Sequence, residues 1–301
     1  MGGMTHAPAR ERTVDMLTLG DFRLHLINDG TIYADPGGPF GLVPRALWGR
    51  YLQPDDRSQL PMTTVNLLVE AHGKKIVIDT GHGHKYGEKY AAQQRLERPQ
   101  GDLLAGLARC GVRPEDVGLV ICTHLHGDHA GGNTRYDESG ALVPTFPNAE
   151  YVTQRREYED AMRPNERTAA TYHRMNYEPL VQSGQMRLLD GDRELLPGIT
   201  GVVTPGHTPA HMSVMLVSGG QHALFTCDMA SYSIHFERLG WMTAFDVEPL
   251  VTLETKRRWQ KWALEHDALL IFPHDPLRPV GRLTHGNDGR LALEAVAYSY
   301  A

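Results

Sequence analysis

The sequence predicts one mixed α/β domain with sheets inside and helices outside, and three observations lead there. Strand-like and helical patterns follow one another in the order β-rich, helical, β-rich, helical along 301 residues. The run 119–122, Leu-Val-Ile-Cys, is apolar without interruption, as a strand covered on both faces must be. No low-complexity linker or internal repeat divides the chain, so a single layered core is the economical arrangement.

The elements follow in order. Residues 1–14 are polar and unpatterned and predict a mobile tail, which leaves 15–301 as the domain. Residues 16–19 and 22–27 are strand-like. Residues 34–54 are rich in Gly and Pro and carry Phe40, Leu47, Trp48 and Tyr51. A long loop with such side chains caps a pocket, packs on its own core or makes a homodimer contact. Residues 64–70 and 75–79 read as a hairpin around Ala71-His72-Gly73-Lys74, and its second strand ends on Asp79. Asp102 caps a helix bearing Leu103, Leu104 and Leu107 that stops at Gly111. Helices over 155–162 and 169–181 precede strands at 186–189, 199–204, 212–218 and 222–227. The last helix, 249–266, carries Trp259, Trp262 and Ala263 at i, i+3, i+4 and leads into a strand at 268–272.

Composition narrows the function. Thirty Lys+Arg against 36 Asp+Glu, with no block of like charge, argue against a nucleic-acid partner. No run of 18 apolar residues and no apolar signal segment occurs, so neither a membrane span nor secretion is predicted. Cys110, Cys122 and Cys227 are too few and too scattered for a disulfide framework, which points to the cytoplasm; Cys122 and Cys227 read as buried small hydrophobes.

The histidines carry the chemistry. Thr123-His124-Leu125-His126-Gly127-Asp128-His129-Ala130-Gly131-Gly132 follows directly on the 119–122 strand. In extended chain His124 and His126 project to the same side, so both imidazoles can meet one cation at about 2.0–2.1 Å. Beyond the Gly127 break, Asp128 and His129 can turn toward a second position. Such a density of ligands exceeds what packing or solvation requires. Three further segments end strands on ligands: Thr204-Pro205-Gly206-His207, Thr226-Cys227-Asp228 and Phe272-Pro273-His274. Taken singly, each reads as well as a turn or capping residue; taken with the first cluster, they complete a rim on rigid supports. His82 and His84 form a second His-x-His pair, read as a flexible rim loop that touches substrate. His211 is read as a neighbour of the ligands or a surface group, and His6, His25, His72, His173, His222, His235, His266 and His285 as surface or packing residues.

These motifs resemble the metallo-β-lactamase superfamily, matching its HxHxDH motif at residues 124–129 and its downstream ligands at His207, Asp228 and His274. The resemblance implies an αββα sandwich with two divalent metal ions along one edge, zinc or alternatively iron, manganese or cobalt. One ion would take His124, His126 and His207, the other Asp128, His129 and His274, with Asp228 and a hydroxide bridging. Asp79 would support the ligand loop from behind. Two dications against two carboxylates and a hydroxide leave roughly +1, which favours negative oxygen in the transition state.

The stretches His-Leu-His-Gly-Asp-His-Ala-Gly-Gly-Asn and Thr-Pro-Gly-His-Thr-Pro-Ala-His look most like the quorum-quenching N-acyl homoserine lactonases, a branch related to methyl-parathion-type hydrolases. That implies opening of a lactone ring, with Asp128 passing the proton to the leaving oxygen and a tyrosine, here Tyr232, hydrogen-bonding the reacting ester. Phe40, Leu47, Trp48, Phe236 and Trp241 are available for an acyl groove. Phosphotriester or aryl-ester hydrolysis on the same metals is the alternative; a non-catalytic metal-binding protein is the other class, against which the complete ligand set speaks.

Overall fold

The computed structural model describes residues 16–286 and 288–301; the tail predicted for 1–14, with His6, lies outside the described residues. The first half of the chain lays down β1 (Leu17–Leu19), β2 (Phe22–Ala34), β3 (Leu60–Ala71), β4 (Lys74–Ile78) and β5 (Val117–Ile121). A separate small hairpin of β6 (Thr134–Tyr136) and β7 (Leu142–Pro144) follows, then β8 (Glu150–Gln154) and β9 (Met186–Leu189). The second half supplies β10 (Arg193–Leu196), β11 (Ile199–Val203), β12 (Met212–Ser218), β13 (Gln221–Phe225), β14 (Leu269–Ile271), β15 (Val280–His285) and β16 (Leu291–Ala295). They form two seven-stranded sheets, ordered β1-β2-β3-β4-β5-β8-β9 and β10 through β16 in sequence.

Side-chain alternation explains the layers. Val65, Leu67, Val69, Leu119 and Ile121 of the first sheet share one buried cluster with Val214, Leu216, Phe225 and Ile271 of the second, so the main core lies between the sheets. The intervening Leu68, Val77 and Val120 face outward onto Leu103 and Leu107 of the helix Leu103–Arg109. On the other side Leu224 and Leu270 meet Trp259 and Ala263 of the helix Pro249–Glu265. The result is the αββα sandwich that the resemblance implied. It also explains the uninterrupted 119–122 run, because both faces of β5 are covered.

Local chemistry sets several boundaries. The β3–β4 turn is only His72-Gly73, both in the left-handed region (φ 53° and 71°), which suits a two-residue hairpin turn. Asp102 Oδ1 accepts the Ala105 amide at 2.8 Å and starts its helix as predicted. Two expectations are corrected. The helix predicted over 169–181 is two short turns, Arg174–Asn176 and Glu178–Gln182; Pro179 has no N–H to continue a longer helix. The loop 34–54 contains two short helices, Gly37–Phe40 and Arg45–Trp48.

Parallel pairing positions the site. β4 runs parallel to β5, and in the other sheet β13 runs parallel to β14. Parallel neighbours end at the same rim, so Asp79, His124, Asp228 and His274 leave their strands side by side. A Met212 amide bond to the Thr123 carbonyl (3.0 Å) and a Val65 bond to Pro273 (2.9 Å) stitch the two sheets there.

Candidate metal centre

Beyond β5 the chain stays extended through Thr123–His126, which buries Leu125 on the helix side and turns His124 and His126 to the other. The loop then doubles back against 80–83. Gly131 and Gly132 are required at that contact: a Cβ on either would lie 2.2 Å from the carbonyl oxygen of His82 or Thr80 respectively.

Seven side chains converge. His207 Nε2 lies 3.1 Å from His126 Nδ1 and 3.2 Å from Asp228 Oδ2. His129 Nε2 lies 3.2 Å from His274 Nε2, 3.5 Å from Asp228 Oδ2 and 3.6 Å from Asp128 Oδ2. His274 Nε2 is 3.1 Å from Asp228 Oδ1, so Asp228 reaches both groups of histidines. Two nitrogen ligands held at 2.0–2.1 Å and a tetrahedral angle around one ion lie about 3.3 Å apart, which is the spacing seen here.

Four of the five imidazoles are oriented from behind, while His126 turns its Nδ1 to the cluster. Nδ1–H of His124 donates to Thr123 Oγ1 (3.1 Å), that of His129 to Asp79 Oδ2 (2.9 Å), that of His207 to Asp246 Oδ1 (3.0 Å) and that of His274 to the Thr63 carbonyl (2.6 Å). This network assigns the proton to the outer nitrogen and leaves the Nε2 lone pair facing the cluster. His124 Nε2 is the decisive atom: it is buried and has no hydrogen-bond partner among the described residues. An orphaned lone pair on a ring packed against the imidazoles of His126, His129, His207 and His211 fits a cation.

The electrostatics agree. Burial, and then the neighbouring imidazoles, push His124 well below the ordinary histidine range, and burial takes His126 down to about 3, so both imidazoles are neutral. Burial acts the same way on His207 and His274, but the Asp228 carboxylate outweighs it and draws positive charge into the cluster.

The family model of the metallo-beta-lactamase superfamily matches residues 61–282. The chain belongs to that superfamily. It is therefore a metal-dependent hydrolase by family, on a fold that binds divalent metal. An N-acyl homoserine lactonase of Bacillus cereus is 28% identical over 256 residues, covering 81% of this chain and 92% of the relative. A probable metal-dependent hydrolase from Staphylococcus aureus superimposes with TM-score 0.84 at 27% identity, covering 95% of this chain and 99% of that one. AidC, a dizinc quorum-quenching lactonase in complex with a product, gives TM-score 0.76 at 20% identity over 93% and 97% of the two chains.

Within this superfamily fold a cavity of about 290 Å³ opens onto His126, Asp128, His207, Asp228 and His274. Ile32, Ala34, Met62 and Phe245 form an apolar wall; His82, Tyr90, Gln94, Thr171 and His173 supply polar groups. Several sequence-stated substrate contacts need correction. Tyr232 does not line the cavity: it is fully buried, stacks on Phe40, and gives its hydroxyl proton to the Pro61 carbonyl at 2.9 Å. Phe40 and Trp48 pack with it in one aromatic core, because the short helices of 34–54 turn these rings inward. Phe236 is buried against Phe272, and Leu47 lines a surface groove with Trp241. Of the second His-x-His pair, His82 does line the cavity, whereas His84 is exposed and bonded to Asp102 at 2.5 Å.

Sequence reasoning missed three polar groups: Asp246, Glu157 and His173. Asp246 has no local motif, since its loop is brought to His207 only by folding. Glu157 is buried and accepts the Leu125 amide (3.0 Å) and the hydroxyls of Thr208 (2.5 Å) and Tyr172 (3.1 Å), tying both ligand loops together; its place one turn from buried Ala161 was a readable signal. Of the two readings of His211, the neighbour of the candidate ligands holds: it is fully buried, and its Nε2 accepts the Asp228 amide at 3.0 Å. His173, read as surface or packing, reaches the cavity.

Proposed function

We propose that the chain opens the ring of N-acyl homoserine lactones or similar lactones, using two divalent cations, zinc first among them. The observation that carries this reading is that two groups of candidate ligands, joined through Asp228, face one cavity with an apolar wall. Relatives and structural neighbours that are named lactonases support it.

In this reading His124, His126 and His207 would hold one cation and Asp128, His129 and His274 the other, with Asp228 within reach of both groups. When bound, the cations supply Lewis-acid polarisation of the ester and a water acidic enough to act as nucleophile near neutral pH. The remaining work falls to the chain. Asp79 and Asp246 keep His129 and His207 in one tautomer, and His211 with Ser231, whose hydroxyl donates to Asp228 Oδ1 at 3.3 Å, fixes the shared carboxylate. Asp128, the most open of the ligands, carries the water's proton to the leaving ring oxygen. Ile32, Ala34, Met62 and Phe245 receive the acyl chain. We further read residues 15–301 as one domain acting in the cytoplasm, with exposed Leu42 and Leu47 of segment 34–54 offering a homodimer contact. Among the described residues no helix is long and apolar enough to cross a membrane.

Hydrolysis of a long-chain acyl homoserine lactone by metal-reconstituted protein, beside a chelator-stripped control, tests the reading. A metal-dependent kcat/KM above about 10⁴ M⁻¹s⁻¹ supports it; a rate equal to the stripped control rejects it. One observation favours the second reading, phosphotriester or aryl-ester hydrolysis on the same centre: the Tyr232 hydroxyl is committed to Pro61 and does not meet a lactone. The ratio of kcat/KM on the two substrate classes decides between them.

A further inference from the structure

With Tyr232 turned into the core, the cavity still contains a tyrosine. Tyr90 lies on the exposed helix Gly87–Gln94 and lines the cavity with Gln94, one turn further along the same face. Neighbouring Tyr86 has given its hydroxyl proton to Asn176 (2.9 Å), as Tyr172 has to Glu157 and, in the aromatic core, Tyr51 to Asp275. Tyr90 differs. Among the described residues its hydroxyl has one partner, His82 Nδ1 at 3.0 Å.

His82 is itself held rigidly. Its amide donates to the buried Asp29 carboxylate at 2.9 Å, which the Arg98 guanidinium also contacts, and its Nε2 meets Thr64 Oγ1 at 3.0 Å. A hydroxyl can donate to one ring nitrogen only if the other carries the proton. Thr64 is buried, and among the described residues His82 Nε2 is the one acceptor its hydroxyl meets, so Thr64 donates there; His82 Nδ1–H then points at the Tyr90 oxygen, and the phenolic proton is left for the cavity.

We propose that Tyr90 is a catalytic residue, donating a hydrogen bond to the ester's leaving oxygen on the Asp128 side of the cavity, with His82 and Thr64 as its positioning residues. The assignment rests on the ester-hydrolysis reading above. The bond between the acyl carbon and the ring oxygen breaks, the electron pair stays on that oxygen, and its proton comes from the attacking water through Asp128. Tyr90 keeps its own proton throughout. Burial, reinforced by the Asp128 charge, raises the phenol above its ordinary range, so it stays a neutral donor.

A donor to the leaving oxygen matters for an alkoxide and little for a p-nitrophenolate, which leaves unaided. The test therefore compares wild type and Tyr90→Phe, both zinc-reconstituted, on N-hexanoyl homoserine lactone and on matched ethyl and p-nitrophenyl hexanoates. We expect kcat on the lactone and ethyl ester to fall on the order of 100-fold, with the p-nitrophenyl ester, metal content and melting temperature unchanged. Binding of ring-opened N-hexanoyl homoserine, followed by calorimetry, weakens in the variant. Thr64→Val, which leaves Tyr90 in place, shows the same substrate selectivity at smaller amplitude and carries the test if the first variant does not fold. Equal kcat in variant and wild type, or an equal fall on all esters, overturns the proposal. A wild type that leaves the lactone intact but cleaves the ethyl ester rejects the lactone reading alone, and the Tyr90 ratio is then read on the two hexanoates. A wild type inert on all three overturns both.

Discussion

The chain contains two His-x-His pairs, and their fates differ. His124 and His126 are both buried, and three other segments, ending on His207, Asp228 and His274, bring a nitrogen or carboxylate to the cluster they begin. His82 and His84 follow a strand just as closely, yet one turns in to face Tyr90 and the other turns out to Asp102. The two loops even touch, since Gly131 packs on the His82 carbonyl. Spacing alone therefore does not make a metal site. What separates the pairs is the supply of further candidate ligands: strands β11, β13 and β14 each deliver one to the first pair, whereas the second has Thr64, Asp29 and Arg98, which hydrogen-bond it in place.

The comparison can be broken at either pair. The largest effect is expected for His124→Ala, which removes the orphaned Nε2: kcat/KM should drop by at least about 10³-fold and metal analysis should show fewer bound equivalents, while a variant that keeps full metal and rate would show that the first pair is no better a site than the second. Next comes Asp246→Asn, which leaves the His207 ligand in place but loosens its tautomer; metal affinity, titrated against a competing chelator, should weaken roughly 10- to 100-fold. Gly131→Ala wedges the two loops apart and should cost about 1–3 kcal/mol in denaturant unfolding.

The smallest effect belongs to His84→Ala. Activity and metal content should stay at the wild-type level, and stability at neutral pH should fall by less than about 1 kcal/mol, because the pair with Asp102 is half exposed. Its pH dependence has a definite sign. The His84 hydrogen bond, ahead of the Ala105 amide bond, holds the Asp102 carboxyl down from 3.8 to about 2. A depressed carboxyl stabilises the fold above its unfolded value and loses that contribution as pH falls through its folded one. The gap between variant and wild type should thus be full above pH 3.8 and close as the pH approaches 2; a gap that widens on acidification would contradict the pairing.

Much of the site was legible because its signals are local. The density of His124, His126, Asp128 and His129 in one short loop, and the ending of three other strands on His207, Asp228 and His274, are patterns that sequence displays directly. Strand and helix boundaries followed for the same reason: alternation and capping act over a few residues, as at Asp102 and the β3–β4 turn. The aromatic side chains were not legible. Phe40, Trp48 and Phe236 carry the same apolar signal whether they line a groove or fill a core, and only the packing of 34–54 against the chain around Tyr232 selects the core.

Sequence thus suffices to pick out the seven side chains that converge and the layered fold, because both rest on short-range patterns and on residue types with few other uses. Which acid orients which imidazole, which histidine pair gathers partners and which tyrosine hydroxyl stays uncommitted depend on contacts between distant segments: His207 with Asp246, His129 with Asp79, His82 with Thr64 and Tyr90. Those contacts are made by loops whose paths are set by the strands that carry them, and it is the parallel pairing of β4 with β5 and of β13 with β14 that brings their ends to one rim.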